Sequence, residues 1–187
     1  MHQLGQKIAD GAAAVILTRS ELVPADFPRP LICIAGSASA TDTLALHDRK
    51  DLFSFESAKV SAERAMHEAG IDLGHIGLFE YHDAFSIYAA LCLESVGFAE
   101  RGLGWKLAAD GGISRGGRIP SASMGGLKAR GFPGGATGVY QIVEAALQLQ
   151  GLAGANQVVG ARAALVQSMA GPASTVVSHV LTASGGG

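Results

Sequence analysis

The stretch "GGLKARGFPGGATGVYQIVEAALQLQG", Gly125 to Gly151, joins a glycine-dense loop directly to a segment with the period of an amphipathic helix. Glycines before a helix allow a backbone to approach a ligand closely, and the first N–H groups of a helix can face a phosphate or a thioester oxygen. The loop lacks the Lys-Ser/Thr pair of a Walker A loop and the spacing of a dinucleotide fingerprint, so by itself it is also typical of a plain tight loop. We expect the apolar face of the helix to consist of Val139, Ile142, Val143, Ala146 and Leu147.

The composition indicates a core-rich α/β protein. Of 187 residues, 48% are hydrophobic, 16% are charged and 26 residues are glycine, with a formal net charge of −2. Scattered basic residues give no footprint for nucleic acid, and no apolar run reaches the ~20 residues of a membrane span. Cys33 and Cys92 lie in apolar segments without metal-ligand spacing, so we expect buried, inert thiols, no metal site and a reducing cytoplasm.

Apolar periodicity predicts a layered α/β fold in which helices cover a mixed sheet. A helix should carry a stripe at Ala58, Ala62, Ala65, Met66 and Ala69, and end at Gly70. A short strand should end near His82, with Asp83 capping a helix that Gly97 ends. The other predictions are a strand over 31–40, a glycine-rich functional loop over 99–126, a β-hairpin over 161–184 around "AGPAS", and a flexible tail "SGGG".

The run "AAAVIL", Ala12 to Leu17, is continuously apolar, which is typical of a strand buried on both faces. Two alternatives follow. The strand either joins a sheet built by later parts of this chain, or its neighbours belong to another polypeptide.

The motif "YHDAF", Tyr81 to Phe85, offers a histidine at a strand-to-helix junction, where it could polarise a carbonyl or shuttle a proton. In the alternative interpretation His82 is only a strand-end side chain and Asp83 only a cap. Ser168 lacks the G-x-S-x-G elbow of hydrolases, which disfavours a nucleophilic role.

Several segments occur in a specific order: "ADGAAAVILT", "AGSASATDT", "YHDAFSIYAALCLESVGFAERG", "GGLKARGFPGGATGVYQIVEAALQLQGLAGANQV" and "ALVQSMAGPASTVVSHVL". Over about Ile8 to Leu181 they resemble the C-terminal half of thiolases, and most closely archaeal-type acetyl-CoA acetyltransferases and sterol carrier protein thiolases. The resemblance implies part of a five-layered α/β/α/β/α architecture. Residues 1–23 would then be the last strand region of the N-terminal half, and residues 24–187 the C-terminal domain.

The resemblance also assigns site residues. His82, in the family's His-Asp-x-Phe motif, would help to form an oxyanion hole, whereas Ala84 stands where sterol carrier protein thiolases have an acid/base cysteine. Phe132 replaces the histidine of the Gly-His-Pro motif, which activates the nucleophile, and a phenyl ring transfers no proton. The second acid/base cysteine is absent near Gln167 and Ser168, and "SASMGG" lacks the usual asparagine. The residues implied to bind coenzyme A thioesters are Gly125, Gly126, Phe132, Gly134 and Gly135.

The family's nucleophilic cysteine lies in the N-terminal half, and neither Cys33 nor Cys92 matches it. The resemblance therefore implies an acyltransferase component that acts on acetyl-CoA or other acyl-CoA thioesters, without a further cofactor, in a homo- or hetero-oligomer. Its partner would be a thiolase N-terminal half or an OB-fold zinc-ribbon protein. The alternatives are a non-catalytic acyl-CoA-binding or scaffolding subunit, an aldolase using Tyr81 or Tyr140, and a truncated reading frame without activity.

Overall fold

A computed structural model describes residues 7–183 of the chain, so the predicted flexible tail at 184–187 lies outside the described residues. Four strands form one mixed sheet in the order β1-β4-β3-β2. β1 pairs antiparallel with β4, β4 pairs antiparallel with β3, and β2 runs parallel to β3. The strands are β1 (Ile32–Thr41), β2 (Leu78–Glu80), β3 (Ala163–Ala170) and β4 (Thr175–Ala183). The predicted mixed sheet, the strand at 31–40 and the hairpin are confirmed.

Helices cover the two faces of this sheet. They are α1 (Glu56–Ala69), α2 (Ser86–Val96), α3 (Gly104–Ala109), α4 (Gly126–Arg130) and α5 (Thr137–Leu149). α1 packs against β1 and β4, whereas α5 packs mainly against β3 and β2. Successive residues of β3 alternate between two core clusters, with Leu165 on the α1 side and Val166 on the α5 side. The predicted layered α/β architecture is therefore confirmed.

α1 forms as its apolar period predicts. Ala58, Ala62 and Ala65 are fully buried, and Gly70 ends the helix in the left-handed conformation with φ 64°. The small side chains let the helix approach the sheet closely at Gly36. A Cβ there would lie 2.0 Å from the carbonyl oxygen of Ala65, so only glycine fits.

The apolar run Ala12–Leu17 forms no strand with the described residues, so the first alternative, a strand in a sheet built by later parts of this chain, is wrong, and the second alternative stays a prediction. Ile16 is 96% exposed and Leu17 is 71% exposed. The physical reason is that β1 takes the edge of the sheet beside β4, and no strand of the described residues lies next to the run. Residues further upstream do make a contact, since Ile8 forms an isolated parallel bridge with Phe132.

The buried face of α5 is not the predicted apolar one. Val139, Val143, Ala146 and Leu147 are only half-buried, and Ile142 alone of the predicted set packs against the adjacent core cluster. The side of the helix turned inward is mostly polar. It consists of Thr137, Gln141, Glu144, Ala145, Gln148 and Leu149.

Only one of the two thiols is buried as expected. Cys92 is buried in α2 as predicted, but Cys33 is exposed. It lies on β1, an edge strand, where fewer neighbours cover a side chain than inside the sheet. Within residues 7–183, no helix is long and apolar enough to cross a membrane.

Candidate active site

A cleft of about 700 Å³ opens between the start of α2, the loop leading into α5, and the β3–β4 hairpin. Its walls are mainly apolar. The residues that line it on the first two sides include His82, Ala84, Phe85, Tyr88, Phe132, Gly134, Gly135 and Gly138. The hairpin contributes Ser168, Met169, Ala170, Gly171, Pro172, Thr175 and Val177.

His82 lies just after β2 and is 6% exposed at the edge of the cleft. Its Nδ1 is buried and has no hydrogen-bond partner among the described residues. Burial, assisted by the positive charge of Arg130, lowers the pKa of His82 to about 4. The imidazole is therefore uncharged near neutral pH, and one of its ring nitrogens carries a proton that it can donate.

Phe132 stands directly against this imidazole. The two ring centroids are 5.4 Å apart and the ring planes are perpendicular. The backbone of Phe132 is fixed by Lys7 and Ala9, because its N–H donates to the Lys7 carbonyl at 2.8 Å and its carbonyl accepts from the Ala9 N–H at 3.2 Å. The two motif residues, His82 and Phe132, are thus in contact in the structure. His82 can transfer a proton, whereas Phe132 cannot.

The glycines of the loop fall into two groups. Gly134 and Gly135 are exposed in the cleft, whereas Gly125 and Gly126 do not line it. Gly126 has φ 63°, and a Cβ there would lie 2.1 Å from a carboxylate oxygen of Asp83. Close packing against Asp83 therefore explains this glycine, and a binding role for Gly125 and Gly126 stays a prediction.

Asp83 does not cap the helix that follows it, so that prediction is wrong. α2 begins three residues later, after Phe85, and Asp83 Oδ1 instead accepts the backbone N–H of Leu127 at 2.8 Å. The carboxylate thus satisfies an N–H in the first turn of α4, a helix distant in sequence. A capping residue type indicates that a helix start is near but does not identify which helix.

The hairpin wall is held by two side chains that sequence patterns did not single out. Arg49, which is buried, donates from Nη1 to the Pro172 carbonyl at 2.6 Å. Ser57 Oγ donates to the Ala173 carbonyl at 2.5 Å, and Ala173 itself has φ 60°, a strained value for a residue with a Cβ. Both contacts join the turn to residues that are more than 100 positions away in the sequence, so no local sequence pattern predicts them.

No thiol lines the cleft. Cys92 is enclosed in α2, where burial raises the pKa of its thiol, and Cys33 lies on β1. Ser168 does line the cleft, but the side chain of Gln167 points into the core, where it donates to the Ala58 carbonyl and to Ser178 Oγ. Among the described residues, no cluster of three or more His, Cys, Asp or Glu side chains could hold a metal ion.

A buried polar network lies behind the loop. Glu80 is 1% exposed and accepts both the N–H and the Oγ–H of Ser123, at 2.9 and 2.8 Å. Burial raises the pKa of Glu80 to about 7, against the opposing effects of Ser123 and Arg130. Arg130 forms an ion pair with Glu144 of α5. Of these residues only Glu144 had a sequence signal, because it is a polar residue at helical spacing with Thr137, Gln141 and Gln148 inside an otherwise apolar helix.

A family model described as thiolase C-terminal domain-like matches residues 38–183. An acetyl-CoA acetyltransferase of Methanothermobacter thermautotrophicus is 40% identical over 94% of this chain and 45% of its own length. Sterol carrier protein 2 of Bos taurus is 34% identical over 84% of this chain and 30% of its own length. The chain thus spans less than half the length of these relatives.

Two solved structures share the fold at lower sequence identity. The Ltp2-ChsH2(DUF35) aldolase superposes with a TM-score of 0.75 at 24% identity, over 83% of this chain and 40% of the other. A monomeric SCP2-thiolase-like protein of Mycobacterium smegmatis gives a TM-score of 0.55 at 21% identity, over 81% and 29%.

Proposed function

This chain belongs to the thiolase C-terminal domain-like family, and we propose that it is an acyltransferase component that acts on acetyl-CoA or other acyl-CoA thioesters. The observation that carries the proposal is the uncharged, buried His82 at the edge of a cleft that contains no thiol. The chain would supply the groups that bind and polarise the thioester, while a partner supplies the nucleophilic cysteine. Coenzyme A then enters as part of the substrate, and no further cofactor is required.

His82 suits the stabilisation of a thioester oxygen. A neutral imidazole donates one hydrogen bond, and the donation strengthens as negative charge develops on the oxygen during enolate or tetrahedral-intermediate formation. Losing such a donor typically costs about 10²–10³ in rate. Among residues 7–183, the buried Nδ1 of His82 has no hydrogen-bond partner, so none of these residues holds the ring there.

The glycine loop suits the binding of the thioester. Gly134 and Gly135 lie in the turn directly before α5, where their bare backbone is open to the cleft. The N-terminus of α5 follows this turn directly, so the positive end of the helix dipole also faces this region. Phe132 adds an apolar surface beside His82, which can pack against an acyl group or the pantetheine arm.

Surface chemistry supports the need for a partner. The half-buried face of α5 carries Val139, Val143 and Leu147, and the exposed run nearer the N-terminus adds Ile16 and Leu17. Exposed apolar surfaces of this kind are typical of protein interfaces. We propose that a thiolase N-terminal half covers them, with an OB-fold zinc-ribbon protein as a second candidate partner, and that the assembly works in the cytoplasm.

A second function is favoured by one specific observation. The ring of Phe132 contacts His82, and by the motif resemblance Phe132 stands where the family has the histidine that activates the nucleophile. A chain altered in this way could bind or scaffold acyl-CoA without transferring the acyl group. Such a subunit would bind acyl-CoA thioesters and show no thiolysis even with its partner.

Co-purification with mass spectrometry, followed by acetyl-CoA titration, tests the main proposal. We expect a cysteine-bearing protein to co-purify, and the double variant Val143→Gln/Leu147→Gln to lose it while staying folded. His82→Ala should weaken acetyl-CoA binding by the assembly, whereas His47→Ala, at an exposed position, should not. Co-purification of no cysteine-bearing chain, together with no acetyl-CoA binding, would contradict the proposal.

A further inference from the structure

Arg130 links the start of the loop over residues 131–136, which carries Phe132, to the helix α5. It is the last residue of α4, and its Nη1 forms the ion pair with Glu144 Oε1. Its guanidinium also lies over the ring of Tyr140, 5.1 Å from the ring centroid. Both partners belong to α5, so one side chain fixes the end of α4 against two successive turns of the neighbouring helix.

The backbone immediately after Arg130 leads into the site. Gly131 has φ 89°, and a Cβ there would lie 2.6 Å from the Cβ of Ala9, so the chain turns in a confined space. The next residue, Phe132, presents its ring to His82. Any movement of Arg130 away from Glu144 would therefore change the position of the ring that covers the imidazole.

Arg130 also contributes charge to the site. Glu80 and Asp83, which flank His82 in sequence, attract the guanidinium, and Asp83 also interacts with Lys128 of α4. From α5, the groups that face Arg130 are Tyr140 and Glu144. Burial raises the pKa of Asp83 and of Glu80, whereas it lowers the pKa of Arg130.

We propose that Arg130 is a positioning residue that holds the Phe132 ring against His82 and places its positive charge beside the imidazole. It would act through His82 and Phe132 rather than by touching the substrate. The catalytic meaning of this role rests on the proposed function, but the contacts of Arg130 do not depend on it.

An NMR pH titration of the His82 imidazole tests this role directly. The chain has six histidines, and the signal that disappears in His82→Gln identifies the right one. In the unmodified protein we expect a midpoint near pH 4. In Arg130→Met the midpoint should rise by about one pH unit, because a neighbouring positive charge that opposes protonation is gone. It should stay below 6.5, since the larger cause, burial, persists.

Matched variants separate charge from general disturbance. Arg130→Lys keeps the positive charge and should shift the midpoint less than Arg130→Met does. Tyr140→Phe keeps the aromatic ring under the guanidinium and should leave it unchanged. Arg101→Met removes an exposed arginine that pairs with Asp51 and should also leave it unchanged.

The double variant Arg130→Gln/Glu144→Gln guards against misfolding, because it removes the arginine without leaving a buried, unpaired carboxylate. Its midpoint should rise as well. An unchanged midpoint in whichever of these variants folds overturns the proposal, and so does a failure of both to fold, which would show a purely structural role. A shifted midpoint in a protein whose unmodified form binds no acetyl-CoA would support the role of Arg130 and contradict the proposed function.

Discussion

α1 and α5 cover opposite faces of the same sheet but bury opposite kinds of surface. α1 places a stripe of small apolar residues on β1 and β4 and turns its charged side outward, as in Glu63 and Arg64. α5 places Gln141, Glu144 and Gln148 inward and leaves apolar residues half-buried on its other side. α1 thus has the pattern of a surface helix, with apolar residues inward and charged residues outward. α5 has apolar residues on its outer side, as a helix packed between two layers does.

The two helices therefore have different roles. α1 stabilises the core, so its substitution should change stability without a specific effect on the site. α5 uses its polar side to hold the loop with Phe132 and, in the proposed function, uses its apolar side to meet a partner.

Ala62→Glu on α1 should give the largest effect. Ala62 is fully buried, and a carboxylate introduced there has no cationic partner, so we expect a loss of at least about 3 kcal/mol in the free energy of unfolding. Chemical denaturation measures it. Lys59→Glu, on the exposed side of the same helix, is the control and should change stability by less than about 0.5 kcal/mol. An Ala62→Glu variant of unchanged stability would contradict the assignment of α1 as the helix that stabilises the core.

Glu144→Gln on α5 should give an intermediate effect. Removing the carboxylate leaves the guanidinium of Arg130 without its ion-pair partner, and we expect a loss of about 2 kcal/mol. Denaturation of Glu144→Gln, Arg130→Gln and the double variant Arg130→Gln/Glu144→Gln gives the coupling energy of the pair. Glu63→Gln on α1 makes the same chemical change at an exposed position and should be nearly neutral. A coupling energy of zero would show that this ion pair does not stabilise the fold.

Gln141→Leu should give the smallest effect and the opposite sign. Both polar atoms of the Gln141 side chain are buried and have no hydrogen-bond partner in the part of the chain that the structure describes. An apolar side chain of similar size should therefore be neutral or stabilising by up to about 1 kcal/mol. Thermal and chemical unfolding measure it.

Gln148→Leu is the matched control on the same buried face. Gln148 donates to the Asn156 carbonyl and accepts the Val158 N–H at 2.7 Å, so its loss leaves buried groups unsatisfied. It should cost about 2 kcal/mol. Equal effects of Gln141→Leu and Gln148→Leu would contradict the claim that Gln148, unlike Gln141, stabilises the fold through its hydrogen bonds.

Sequence patterns predicted the fold wherever local chemistry decides it. The stripe of α1, its end at Gly70, and the hairpin were all correct because period and turn residues are local properties. The buried face of α5 was predicted wrongly, because an apolar stripe does not reveal which surface will cover it. For the same reason, the apolar run Ala12–Leu17 could not show whether its neighbours lie in this chain or in another polypeptide.

The site was predictable in part. Motif resemblance connected His82 with Phe132, and the two rings are in contact. The Glu80–Ser123 hydrogen bonds and the Arg130–Glu144 ion pair escaped prediction, because their members are 43 and 14 positions apart and only tertiary packing brings them together. Asp83 was assigned to the wrong helix because Leu127 is 44 positions away in sequence.

The most direct test of the central claim is a thiolysis assay with acetoacetyl-CoA, run on the purified chain alone and on the chain with its co-purified partner. We predict no thiolysis by the chain alone, and activity in the assembly that falls at least about 100-fold in His82→Ala. Replacing the partner's reactive cysteine should abolish it. Thiolysis by this chain alone, or an assembly whose activity is unaffected by His82→Ala, would contradict the claim that this chain polarises the thioester while a partner supplies the thiol.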